Sequence, residues 1–534
     1  MKKYISYLLV AAPIVVFLFF TVRYAQNIPY NDDYPSILQF MLNKAKAHTT
    51  GELFQLYFAP YGEHRIFFVR LFSTLQMTLT GKLNFQFLPL IGNIGFVVAF
   101  IFLARSANID RGRKLLCIIP AAYIIFQLQS WSNNVWSMAS LSNTIIFCWI
   151  ILSLYYLFKE TKLSFIAGLF FALLATYTNG NGVFVLFVAA ITFLLRKRFL
   201  QSGITLVLFL VFFMLNNTGA SGSILEKITH QGPAKIAGMF FVFLGSNFFH
   251  PSFIFVSIAA GVAFILFFAY LFFVKKYYQV NPVSFSLYLL IFLTGIAIAT
   301  QREILDIYIA APSRYRLYCS LLIALSYIAL VELFPGLQRK TVIWGAGVAA
   351  FLFFAASNYV AIGKLRGRYE LNRSYSFLLN HHVYMSHSID SLHQASIAQQ
   401  LINPYQVSLN SLLLPAGNNQ VIMPWDKEVT GELTDTGRAD NCRYIKGWAG
   451  KADEGNTLNR IYVLVYRNHA LKTYKANFLE VPDFINDKEM IRYATCGFLA
   501  VIPETEYIAA DSIQLGLSRD IQGHNIAPFR TIIK

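Results

Sequence analysis

A polytopic α-helical membrane protein ending in a soluble domain is the fold class this sequence predicts. Three observations carry it. Mean hydropathy is +0.50 with 13% charged and 16% aromatic residues, which excludes an ordinary soluble protein. Apolar runs near the length of about 20 residues that a bilayer core requires recur along the first two thirds. From about residue 362 the composition turns polar and rich in turn formers. Backbone groups in lipid must bond internally, and apolar runs without strict alternation favour helices over a barrel.

Met1-Lys2-Lys3 precedes the apolar run Ile5 to Phe20. No small-x-small cleavage site follows, so the run reads as a retained first span rather than a cleaved signal peptide. Further runs fall near 84–104, 115–130, 140–158, 163–178, 182–195, 202–216, 235–249, 252–274, 284–300, 315–332 and 340–361. Basic loops at Arg105 with Arg111, Arg113 and Lys114, at Lys159 with Lys162, at Arg196-Lys197-Arg198, at Lys275-Lys276 and at Arg339-Lys340 all belong in the cytoplasm by the positive-inside rule. The run 202–216 then ends outside and 252–274 must start outside, so 235–249 is re-entrant or interfacial. Gly245-Ser246-Asn247 and His250-Pro251 suit that break. The expectation is eleven full spans plus one partial element, with a cytoplasmic N-terminus.

Two domains follow: a transmembrane domain, 1–361, and a C-terminal domain, 362–534, on the outer side. The first external loop, 25–83, carries amphipathic stretches at Pro35–Ala45, Glu52–Phe58 and Ile66–Leu79, with aromatic residues suited to headgroup depth. In the tail, 370–401 includes helical stretches. After about 405, β-prone segments dominate, among them 460–466, 497–502 and 512–517, and suggest an α/β or β-sandwich-like domain.

The formal charge of +17 reports loop orientation and phosphate contacts in such a chain and calls for no nucleic-acid partner. Cys117, Cys148 and Cys319 lie in or beside apolar runs and read as core. Cys442 and Cys496 lie in the tail, where a disulfide is allowed outside the cytoplasm. No His-x-x-x-His pattern or cysteine pair at metal spacing appears, so no metal is called.

The polar residues with chemical potential gather on the expected outer face. Asn31-Asp32-Asp33 directly follows the first span. A carboxylate there suits general-base work on a hydroxyl, a divalent metal or a sugar contact; the plain alternative is a helix cap before Pro35. Glu63-His64-Arg65 offers a second carboxylate, a hydrogen-bonding imidazole and a phosphate contact, or simply a solvated turn. Arg302, Arg314 and Arg316 flank another external junction with Tyr315. Arginine matches phosphate oxygens bidentately, while the alternative is interfacial snorkelling. Trp131, Asn133, Asn134 and Trp136, with Asn179 and Asn181, make Asn- and aromatic-rich loops suited to sugars or to an aromatic belt with Asx turns.

On these outer-face acids, followed by juxtamembrane helices, the chain resembles polytopic glycosyltransferases of the GT-C superfamily. Within it the chain looks most like bacterial glucosyltransferases that decorate O-antigen. The resemblance covers roughly 1–361 and implies an essential Asp or Glu in the first external loop, matched by Asp32 or Asp33 with Glu63 later. It implies inverting transfer of a sugar, glucose in the nearest case, from undecaprenyl phosphate to a hydroxyl of O-antigen or another lipid-linked glycan. Asp33 or Asp32 would be the base, with Glu63 as orienter or alternative base. Arg314, Arg316 and Arg302 would hold the lipid phosphate. His64, Arg65, Trp131, Asn134, Trp136, Asn179, Asn181 and Tyr315 would contact sugar or acceptor. No cofactor beyond the lipid-linked donor is implied, and the location is the bacterial inner membrane. Other classes keep a place: aminoarabinose-type transfer to lipid A, or a lipid-linked oligosaccharide flippase, which would line a traversing path with polar groups.

Overall fold

The computed structural model describes residues 2–62, 64–216, 232–301, 312–380, 401, 412, 420–426, 429–439, 441–450, 461–479, 497–518 and 524–532. The chain divides into two compact units, one of Met1–Ala25 with Pro29–Leu365 and one of Gln26–Ile28 with Arg366–Lys534.

Among its described residues the first unit is helical apart from one small ribbon, Pro60–Tyr61 with His64–Arg65, and every expected apolar run contains a helix. Eight helices are long and apolar enough to cross a membrane: Tyr4–Tyr24, Leu88–Ser106, Arg111–Val135, Ser137–Leu157, Pro251–Val274, Pro282–Thr300, Ser313–Leu333 and Lys340–Leu378. Four shorter apolar helices accompany them, Lys162–Thr176, Gly180–Leu195, Phe199–Leu215 and Pro233–Leu244. The last of these packs antiparallel on the helix from Ile254, with Gly261 against the Phe241 carbonyl and Gly245 against that of Ser257. Phe17, Phe96, Phe126 and Phe147, all nearly fully buried, anchor the main core with edge-on ring contacts of 5.4 to 6.1 Å.

The expected loop helices also form. Pro35 opens a π-helical turn, Tyr34–Leu38, that runs into Gln39–Ala45. Thr50–Phe58 starts on a Thr-x-x-Glu cap close to a capping box: Thr49 Oγ1 accepts the Glu52 N–H at 3.1 Å, and Glu52 reaches back past the cap to the His48 N–H at 2.8 Å. That backbone bond holds the Glu52 carboxyl below its usual range. The C-terminal carbonyls of this helix are closed by two arginines. Arg70 Nη1 donates to Tyr57 and Ala59 at 3.1 and 2.6 Å, and Arg65 donates to Phe58. Phe67–Thr80 then ends at Gly81, whose φ of 72° allows the left-handed cap.

Close packing leaves no room for a side chain at Gly182. Gly182 follows Asn181, and a Cβ there would lie 1.8 Å from the Ala175 carbonyl oxygen. Gly182→Ala is expected to destabilise the solubilised protein by about 1–3 kcal/mol, read as a lower Tm. A Tm equal to wild type would show that the two backbones separate freely.

The second unit contains two sheets. One has the order Val421–Ile422, Asn525–Ile532, Ser512–Ser518, Ile461–Arg467, Ala470–Lys475; the other Thr430–Ala439, Cys442–Gly450, Gly497–Pro503, Asn477–Leu479. The chain curls from the first into the second at Ala476, between Lys475 and Asn477. Ile445, Val463, Phe498, Ile513 and Leu515 belong to one core shared by both sheets. Gly497–Pro503 is apolar on both faces because Leu499 and Val501 turn the other way, under Phe377 and Leu378 of the helix Lys340–Asn380. Cys442 is buried in that second cluster, and Cys496, its proposed partner, lies outside the described residues.

Candidate functional site

The segment from Leu128 to Thr144 is where residues expected on the outer face meet. It is rich in Ser and Asn, which bond locally to the backbone and hold helices poorly. It accordingly breaks into Leu128–Ser130, Trp131–Val135, Ser137–Ala139 and a π-helical turn, Ser140–Thr144, with Trp136 extended. Neighbouring groups fix the broken pieces. Asn93, fully buried, donates to the Asn134 carbonyl at 2.9 Å, and Ser140 Oγ donates to that of Pro89 at 2.7 Å.

Asp33 is bound to this segment. The carboxylate is 1% exposed; Oδ2 accepts the Tyr30 N–H at 3.0 Å and Oδ1 the Met138 N–H at 2.9 Å. Asp33 does occupy the N-cap position before Tyr34, yet its side chain makes no capping bond. It joins the loop after the first span to the broken segment instead, and Tyr30 packs edge-on against Trp136 at 5.4 Å. Asp32 is placed differently. It is half-buried, its Oδ1 accepts from the Tyr61 hydroxyl at 3.0 Å, and no described residue bonds its Oδ2. Burial, then the Asp32 charge, holds the Tyr61 phenol well above its ordinary pKa, so it stays a donor. Burial and the Asp33 charge do the same to Tyr34. Asn31 turns the chain between these groups with φ of 43°.

The arginines reach the same segment from the other side. Asn133 Nδ2 donates to the Arg314 carbonyl at 2.9 Å, and Ser313 Oγ bonds Ser132 Oγ at 2.7 Å. The Arg314 guanidinium lies 5.2 Å from the Tyr315 ring, and Tyr315 itself packs on Phe243. Arg316 opens the helix Arg316–Leu333 and contacts Gln129 Oε1 at 3.4 Å. Five buried atoms of this segment and Arg314 have no hydrogen-bond partner among the described residues: Asn133 Oδ1, Asn134 Nδ2, Trp136 Nε1, Thr144 Oγ1 and Arg314 Nε. Orphaned buried donors are rare in folded proteins, so Asn134 Nδ2, Trp136 Nε1 and Arg314 Nε together mark a place for a polar ligand or water.

Other expected contributors sit nearby with local tasks. Asn181 Nδ2 donates to Tyr318 Oη at 2.9 Å, while Asn179 bonds Asn143 at 2.8 Å and caps Gly180. Trp131 packs against the main core. His64 and Arg65 form the second strand of a hairpin, opposite Tyr61 and Pro60. Arg65 also donates to the Leu215 carbonyl at 3.1 Å. Glu63 and Arg302 lie outside the described residues.

Several residues went unread in the sequence. Tyr61 looked like an interfacial anchor but holds Asp32. Gln127 and Asn247 both donate to Ser320 Oγ, at 2.6 and 2.8 Å, and Gln129 Nε2 donates to Ser357 Oγ at 2.8 Å. The signal for this network was available: amides inside apolar runs are expensive unless bonded.

Compared with protein-family models, curated proteins and solved structures, the chain finds no match. Its chemistry therefore rests on geometry alone. A partly accessible carboxylate, two guanidinium groups and unpartnered amide and indole donors share one end of the helical unit. Together they suit a ligand carrying both hydroxyls and an anionic group.

Proposed function

We propose that the protein is an inverting glycosyltransferase of the GT-C kind. It moves a sugar, glucose in the favoured reading, from undecaprenyl phosphate to a hydroxyl of O-antigen or another lipid-linked glycan. The reading rests on one observation: the orphaned donors Asn134 Nδ2, Trp136 Nε1 and Arg314 Nε lie on the elements that link the Asp32–Asp33 loop to the arginines. In this reading eleven helices span the inner membrane, Pro233–Leu244 is the partial element, and the site and the C-terminal unit face the periplasm.

The reaction balances without a cofactor. A carboxylate takes the proton of the acceptor hydroxyl as that oxygen bonds the anomeric carbon. The bond from that carbon to the phosphate oxygen breaks, and the electron pair leaves with the lipid phosphate. Arg314 and Arg316 offset the charge gained there, helped by the N-terminus of Arg316–Leu333. Asp32 is the assigned base, because both oxygens of Asp33 already accept backbone N–H groups. Asn134 and Trp136 take the sugar hydroxyls.

The test uses the full chain in nanodiscs with a panel of short-chain polyprenyl-phosphate sugars. Arg314→Ala is expected to lower turnover by about 100- to 1000-fold, the usual scale for losing a charge-stabilising donor, with partial recovery in Arg314→Lys. Wild-type translocation of a lipid-linked glycan without transfer from any donor would replace this reading by a flippase. Reporter fusions after residues 113, 276 and 400 check the orientation, and a cytoplasmic reporter at 400 would remove the site from the proposed face.

A further inference from the structure

Asp32 Oδ1 already receives a hydroxyl. The Tyr61 phenol donates to it at 3.0 Å, within the reach that a general base needs to the proton it will abstract. A phenolic O–H and a sugar O–H present the same donor to a carboxylate. We propose that Tyr61 stands in for the acceptor's reacting hydroxyl, so that the acceptor alcohol enters by lifting the Pro60–Arg65 hairpin and taking the Tyr61 position on Asp32. This deepens the transfer reading and rests on it.

The hairpin is built to move as a small piece. It has two cross-strand pairs, Pro60↔Arg65 and Tyr61↔His64, and forms a two-stranded sheet of its own. An isolated ribbon of that size is marginal by itself. Gly62, next to Tyr61, is exposed, with φ of 53° and open space around it. The base of the hairpin is fixed by contrast. Arg70, 6% exposed, clamps the Tyr57 and Ala59 carbonyls, and Ile66 is 1% exposed. The hinge positions therefore lie at Ala59-Pro60 and Arg65-Ile66, and the bonds of Arg65 to the Phe58 and Leu215 carbonyls are the tethers that lifting must release.

The assignment also says what the acceptor offers there. The group that replaces Tyr61 is a neutral alcohol. A carboxylate or phosphate at that point would meet the charges of Asp32 and Asp33. The ligand class at this subsite is thus an uncharged sugar hydroxyl of a glycan.

The experiment compares wild type and Tyr61→Phe in nanodiscs, with short-chain polyprenyl-phosphate glucose as donor and decyl-linked disaccharides as acceptors. Losing a competing hydrogen bond to a charged oxygen is expected to lower the acceptor KM by roughly tenfold, with a much smaller change in kcat. A second readout needs no turnover. Nitration of Tyr61 by tetranitromethane, followed by mass spectrometry of the wild type, is expected to rise severalfold when the acceptor alone is added. An unchanged or higher KM, a fall in kcat alone, or nitration indifferent to acceptor would overturn the placeholder while leaving transfer intact. Absence of transfer by the wild type would overturn the transfer reading itself, and this inference with it.

Discussion

Replacing Asp32 by Asn is expected to stop the proposed sugar transfer while leaving the protein folded, and replacing Asp33 by Asn to destabilise the fold. The two carboxylates are adjacent in sequence, and their surroundings divide them. Asp32 is half-buried with one oxygen on a phenol and the other unclaimed by any described residue. Asparagine keeps its shape and can still accept from Tyr61, but it takes no proton at neutral pH. The loss expected for a general base is about 100- to 10,000-fold in turnover. Tm in detergent should stay within a degree or two of wild type, because the group is partly solvated and its one bond survives.

Asp33 has the opposite constraint. Its two oxygens accept two backbone N–H groups, from Tyr30 and Met138, at 1% exposure. An amide offers only one acceptor atom. Whichever way it turns, its NH₂ faces one of those N–H groups, and two buried donors meet. The cost is about 1–3 kcal/mol for the stranded donor. The break at Trp136 makes it worse, since Met138 N–H lies where the helix is already interrupted. Asp33→Asn is therefore expected to lower Tm by several degrees. Any activity loss should track the unfolded fraction, and activity should recover on cooling. Full stability of Asp33→Asn, or full activity of Asp32→Asn, would undo this division of labour.

The fold was legible where hydropathy dominates, since a run of Phe, Ile and Leu has one stable answer in lipid. Ile37, Phe40 and Met41 show it in the loop after the first helix: the amphipathic pattern of Pro35–Ala45 predicted an apolar face there, and all three are buried. The strands 461–467, 497–503 and 512–518 were equally plain from β-branched and aromatic content. The site was harder to read, for a physical reason. Asn31-Asp32-Asp33 before Pro35 fits a helix cap locally, and only the distant Met138 N–H explains where the Asp33 carboxylate goes. Tyr61 is similar: twenty-nine residues separate it from Asp32, and nothing in local spacing couples them. The breaks within 131–144 were equally hidden, because what fixes them comes from another helix: Asn93 donates to the Asn134 carbonyl and Pro89 offers its carbonyl to Ser140.

At the far end of the helical unit, Glu332→Ala is expected to be among the most destabilising single substitutions in the chain. Glu332 ends the 18-residue helix that begins at Arg316, so it lies roughly 25 Å from the candidate site. Three donors converge on it. Oε1 accepts the Asn108 N–H at 2.5 Å and Asn281 Nδ2 at 2.9 Å, and Oε2 accepts the Tyr277 hydroxyl. Tyr277 is fully buried and Asn281 is 1% exposed, so water does not readily replace the lost acceptor. Those partners sit in two connections, one before the helix Arg111–Ile125 and one, containing the short helix Tyr277–Val280, before Pro282–Gln301, so a single carboxylate fastens three long helices. Alanine strands the two buried donors, at about 1–3 kcal/mol each before relaxation, while the N–H of Asn108, an exposed residue, turns to water. Glu332→Gln keeps Oε1 for Asn108 and Asn281, and the Tyr277 hydroxyl can rotate to accept from the new amide, so it should lose about 1 kcal/mol. The decisive comparison adds Tyr277→Phe to Glu332→Ala. Removing one stranded donor makes the double variant more stable than the sum of the single losses. Strict additivity, or equal Tm for the Ala and Gln variants, would mean that the two buried donors find other partners and that the carboxylate does not hold these connections together.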